Sequence, residues 1–103
     1  MDKLSAMRTF VRVVESGSFT AVAADLSSTQ SAISKQVAAL EKELGAKLLV
    51  RTTRSLALSE EGARYFEQAR RLVAEVAEAE SDLQDYLQTI FHIDHFVQVE
   101  QNK

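Results

Sequence analysis

The chain has 103 residues, 46% of them hydrophobic and 26% charged, so it is read as one small folded domain and not as a fibrous repeat or a disordered chain. It has no cysteine, which excludes disulfides, thiolate metal sites and thiol nucleophiles, and its longest apolar runs, 21–24 and 37–40, fall far short of the ~18–20 residues of a membrane helix. The net charge of −3 hides a division: residues 1–57 carry eight Lys/Arg against five Asp/Glu, whereas residues 58–103 carry four against ten.

Proline is absent and glycine stands only at 17, 45 and 62, so long helices are unobstructed and the glycines mark their ends. Leu4, Met7, Val11 and Val14, with Phe10 beside them, form an apolar stripe at helical spacing that ends at Gly17, predicting a first helix over about 3–15. Ser18 can cap a second, two-turn helix whose stripe is Phe19, Val22, Ala23 and Leu26, broken by Ser27-Ser28. Thr29 opens a third, with Ile33, Val37, Leu40 and Leu44 inward and Gly45 as its stop. Two β-favouring runs follow, Leu48-Leu49-Val50 and Leu56-Ala57-Leu58, joined by a polar stretch containing Arg51 and Arg54, which reads as a hairpin with a basic tip.

Ser59, followed by Glu60 and Glu61, opens a long helix. Along it Phe66, Val73 and Leu87 recur at sevens, as do Ala69, Val76, Leu83 and Ile90, giving an a/d seam with Glu80 at one a position. Such a seam packs on the chain's own first helix, on a partner helix, or on both. Gly62 early in this helix points to close packing against the hairpin or to a tolerated glycine. The segment 91–103 reads as a short strand, a frayed helix end or an extension without fixed structure. His92, Asp94 and His95 supply only part of a coordination sphere, so no metal site is expected. The serines lack a nearby histidine or a nucleophile elbow, so no catalytic residue and no cofactor are expected either.

Two short helices joined by a tight turn, the second amphipathic and followed by a basic hairpin, describe a mainly α winged helix-turn-helix. With Ile33, Val37, Leu40 and Leu44 inward, the outward side of the third helix carries Gln30, Ser31, Ser34 and Lys35, with Thr29 at its start. Gln can bond adenine bidentately, Ser a base or a phosphate, and Lys a guanine acceptor or a phosphate, so the set suits the major groove of double-stranded DNA. Arg8 and Arg12 are read as solvated charges on the first helix.

The stretch from Phe10 to Gly62 resembles the N-terminal DNA-binding region of LysR-type transcriptional regulators. The resemblance covers roughly residues 3–88 and rests on Gly17-Ser18-Phe19-Thr20, Ala23-Ala24, Gln30-Ser31-Ala32-Ile33-Ser34, Leu40-Glu41, Leu44-Gly45, Arg51, Arg54 and Leu58-Ser59-Glu60-Glu61-Gly62. It implies a cytoplasmic regulator that binds DNA as a homodimer, or a higher oligomer, on an interrupted inverted repeat. The positions matching Gln30, Ser31, Ser34 and Lys35 would approach bases or backbone, and those matching Arg51 and Arg54 phosphate or the minor groove.

The implied organisation is a DNA-binding domain over 1–58, a linker and dimerisation helix over 59–90, and a tail over 91–103. Ser28 and Leu49 depart from the family's usual apolar and phenylalanine residues, which predicts softer packing at the turn and wing. Family members normally continue into a two-lobed sensor domain that this length cannot form, so no small-molecule effector site is expected within the chain. A shortened regulator that acts mainly by pairing with a full-length relative is the alternative.

Overall fold

The computed structural model describes residues 1–52 and 55–101, with side chains as far as His92. Its elements are α1 (Lys3–Ser16), α2 (Phe19–Asp25), α3 (Gln30–Leu44), β1 (Leu49–Arg51), β2 (Leu56–Leu58) and α4 (Glu60–Gln101). The fold is the mainly α winged helix-turn-helix that the sequence predicts. Among the described residues no helix is long and apolar enough to cross a membrane.

Each helix opens on a polar side chain that accepts from an otherwise unpaired backbone amide. The Asp2 carboxylate accepts from Ser5 N at 3.2 Å and from the Ser5 hydroxyl at 2.7 Å. Ser18 Oγ accepts from Ala21 N at 3.1 Å, Thr29 Oγ1 from Ala32 N at 3.1 Å and Ser59 Oγ from Gly62 N at 2.9 Å. Two helices close on glycine in the left-handed region, Gly17 at φ 70° and Gly45 at φ 73°, where a side chain would be strained. Between α2 and α3 the reversal falls on Ser27, at φ 52° the one positive-φ residue other than glycine among those described. Its neighbour Ser28 donates its amide to Ala23 O at 2.8 Å, which closes the helix-turn-helix corner.

The first compact unit, Met1–Val73, holds the core. Ala6, Phe10, Val13, Val22, Leu40, Leu48 and Ala69 are essentially inaccessible to solvent. Phe10 is the hub, with its ring centroid 5.6 Å from that of Tyr65 and 6.3 Å, edge-on, from that of Phe66. Thr9 is buried among these groups and donates its hydroxyl to Gln36 Oε1 at 2.9 Å, a polar tie between α1 and α3. The second unit, Ala74–Lys103, is described by the rest of α4.

Several expectations shift. Leu4, Leu26 and Leu44, assigned to inward stripes, are 38%, 42% and 38% exposed, because each sits in the first turn, at the cap or at the last residue of its helix. The first strand begins at Leu49 instead of Leu48. Leu48 turns its side chain into the core and gives its amide to the Glu41 carboxylate at 2.7 Å, so that amide serves α3 and not the ladder. The strands pair antiparallel with Leu49 opposite Leu58 and Arg51 opposite Leu56, so Arg51 belongs to β1 and not to the tip of the hairpin. Leu49 itself is buried. Finally, α4 continues past Ile90 to Gln101, since no glycine or proline follows Gly62 to stop it.

Gly62 resolves toward close packing. A Cβ built there would lie 2.0 Å from Leu48 O, a backbone atom with nowhere to go. Helix propensity alone would make alanine the better residue by about 1 kcal/mol. The clash reverses the sign, so Gly62→Ala should lower unfolding free energy by about 1–3 kcal/mol in urea denaturation; an unchanged or raised midpoint would remove the packing argument.

Candidate nucleic-acid interface

Three apolar anchors on α3, Ile33, Val37 and Leu40, are at most 3% exposed and fix which way the helix faces. The turn geometry then leaves Gln30, Ser31 and Lys35 exposed on the opposite side, with Ser34 half-buried beside them. All four lie in the first turn and a half, at the end where unpaired amides and the helix dipole favour negative charge. Thr29 is exposed too, but its oxygen already caps the helix, which leaves its hydroxyl hydrogen as the group it can offer.

The wing meets this surface through Arg51. Its Nη2 donates to Ser34 Oγ at 2.6 Å, and its guanidinium carbon stands 4.1 Å from the centroid of the Phe19 ring. One strand residue therefore touches both helices of the helix-turn-helix. Because Ser34 Oγ accepts from Arg51, its own O–H stays available to donate to a phosphate or to a purine N7. Arg54 lies outside the described residues, as do the side chains of Asp94 and His95.

What holds the wing against α3 is a residue that the sequence reading did not single out for a role. Glu41 Oε2 accepts from Leu48 N at 2.7 Å and from Leu49 N at 3.3 Å, while Lys47 Nζ stands 3.7 Å from Oε1. A carboxylate accepting two amides is a charge-assisted clamp on the base of β1. From the other side Ser59 donates its amide to Leu48 O at 2.9 Å and its hydroxyl to Lys47 O. The available signal was positional: Glu41 follows the fully buried Leu40 and so borders the buried face, where a carboxylate needs donors.

The seam residues divide. Ala69 is fully buried in the core, with Phe66 and Val73 partly buried against it, so these three serve the chain's own packing. In the second unit Val76 and Ile90 are half-buried, whereas Leu83 and Leu87 are 55% and 47% exposed and Glu80 is exposed. Tyr86 and Phe91, absent from the expected seam, are exposed aromatics on the same stretch. On the face of α4 near its start, Arg70 and Arg71 both bond Glu67, and the Arg70 guanidinium holds that carboxyl below the usual range.

Residues 4–63 match the family described as bacterial regulatory helix-turn-helix protein, lysR family. The chain is 53% identical over 74 residues to the HTH-type transcriptional regulator CrgA of Neisseria meningitidis, covering 72% of this chain and 25% of that protein. It is 47% identical over 83 residues to an HTH-type transcriptional repressor of Pseudomonas aeruginosa, covering 81% and 26%. Among solved structures, the BenM DBD/catB site 1 DNA complex superposes with a TM-score of 0.74 at 36% identity, over 80% of this chain and 91% of that one. The chain spans about a quarter of the length of the curated relatives it matches.

The Glu41 clamp has a measurable worth. Glu41→Ala should cost about 1.5–3 kcal/mol of stability and speed amide exchange at Leu48 and Leu49. Glu43→Ala, which removes only an exposed pair with Lys3, should stay within about 0.5 kcal/mol. Equal losses in the two variants would show that the clamp does not hold the wing.

Proposed function

The chain belongs to the lysR family of bacterial regulatory helix-turn-helix proteins, and on that footing we propose that it reads a specific double-stranded DNA site as a homodimer. The family assignment makes it a DNA-binding domain of the kind found in transcriptional regulators, not an enzyme. The finer reading is that α3 enters the major groove of a half-site, with Gln30, Ser31, Ser34 and Lys35 toward base edges or phosphates and Thr29 donating beside them. The wing contributes Arg51, and Arg54 by its sequence position, to the backbone.

The observation that carries this reading is the bond between Ser34 and Arg51, which joins the outward side of α3 to the wing as one polar surface. The neighbour bound to catB site 1 DNA supports it at 36% identity.

Pairing is assigned to α4. The first-unit seam positions, Phe66, Ala69 and Val73, serve the chain's own core. Val76, Leu83, Leu87 and Ile90, with Glu80 among them, are the positions left to a second copy, and two such domains would meet an interrupted inverted repeat. Residues 1–58 are thus the reading head and 59–90 the linker and dimerisation helix, which the structure continues to Gln101, in a cytoplasmic protein. The exposure of Leu83 and Leu87 equally favours pairing with a longer chain that carries a similar helix. Mixed-chain pull-down separates that reading from self-pairing.

Selection of duplexes from a random pool by the unmodified chain should enrich a palindromic sequence bound at least ~10³-fold more tightly than a scramble. Salt-sensitive binding without enrichment would overturn specific reading. On the enriched duplex, Gln30→Ala should cost about 1–3 kcal/mol and relax specificity at one base position; equal losses on specific and scrambled DNA would defeat the base contact. Leu83→Asp should halve the solution mass measured by sedimentation, and an unchanged mass would discard the pairing face.

A further inference from the structure

Phe19 begins α2 and is only 8% exposed, which by itself describes a core side chain. Its ring nevertheless has a second neighbour of a different kind, the guanidinium of Arg51 at 4.1 Å from the centroid. A long, strand-borne arginine at a surface ordinarily samples many rotamers, and fixing it costs up to about 2 kcal/mol of entropy at the moment of binding. Here two contacts fix it beforehand, the ring and the 2.6 Å bond to Ser34 Oγ.

The way each contact uses the guanidinium matters. Stacking over a ring engages its planar face and leaves the N–H groups at its edge free. Ser34 takes one of the five N–H donors. Among the described residues no carboxylate pairs with Arg51. The remaining N–H donors are therefore held in place and unspent, a condition that favours a contact to phosphate or guanine.

We infer that Phe19 is a positioning residue for DNA recognition: its ring carries Arg51 and so sets the angle at which the wing presents its guanidinium beside α3. This rests on the DNA reading proposed above. A residue that merely fills the core would not depend on the identity of a wing side chain.

The test has a part that needs no DNA. In the free chain, ring-current shielding should move the Arg51 δ and ε protons upfield in NMR spectra, Phe19→Leu should abolish the shift and Phe19→Tyr should keep it. On the duplex enriched by the unmodified chain, Phe19→Leu should weaken binding about threefold to tenfold and Phe19→Tyr less than about twofold. In an Arg51→Ala background, Phe19→Leu should weaken binding no further.

Should Phe19→Leu melt below the assay temperature, Phe19→Met, which also removes the ring but whose flexible, unbranched side chain adapts to an irregular gap, replaces it. Absent shielding, or equal losses from Phe19→Leu in both backgrounds, would reduce Phe19 to a core residue and overturn the inference. Shielding present with no duplex enriched by the unmodified chain would instead fail the DNA reading itself, and the recognition role with it.

Discussion

The backbone of Leu48 is where three elements are tied together. Its amide belongs to Glu41 on α3, its carbonyl to the amide of Ser59 ahead of α4, and its side chain is buried in the core. The same carbonyl lies where only a glycine at 62 lets the helix approach. Arg51 is three residues further along, so its position relative to α3 is inherited from this junction. A wing of two three-residue strands has little stability of its own, and the junction supplies what the ladder cannot.

That junction also explains how a chain of this size organises the polar surface shared by α3 and the wing. The core on Phe10 gathers α1, α3 and the start of α4, and the polar tie from Thr9 to Gln36 fixes α1 against α3. With three anchors of α3 fully engaged inward, its other side is left to solvent without any residue having to be pushed there. The acidic surplus of residues 58–103 is carried largely by α4, whereas residues 1–57 carry a basic surplus, which is why a negative total is compatible with a DNA-binding domain.

Much of this was legible beforehand because local signals agreed with one another. Ser18, Thr29, Ser59, Gly17 and Gly45 carry cap signals that the structure uses, and periodicity gives the inward faces of α2 and α3 apart from the leucines at the helix ends, whereas on α1 it points to Met7 and Val14, which are half-buried, and misses Ala6, Thr9 and Val13, which are buried. What sequence alone did not yield were the contacts between distant residues. The Glu41 clamp, the Phe19–Arg51 stack and the Ser34–Arg51 bond join positions seven to thirty-two apart, and no local pattern encodes such pairings. The seam stays open in the sequence for the same reason: an a/d repeat cannot say which of its turns the chain's own core will claim, and here it claims Ala69.

The chemistry of the helix caps bears on acid behaviour. Ser18, Thr29 and Ser59 cap with hydroxyls, which do not titrate in any range where proteins stay folded. Asp2 alone caps with a carboxylate, and its bonds from Ser5 hold it below the usual carboxylate range. A depressed carboxyl stabilises the fold above its unfolded pKa and ceases to do so as pH falls through its folded one. Acid therefore weakens the cap of α1 while leaving in place the one that starts α3, so the helix proposed to enter the groove keeps a first turn whose capping is indifferent to protons.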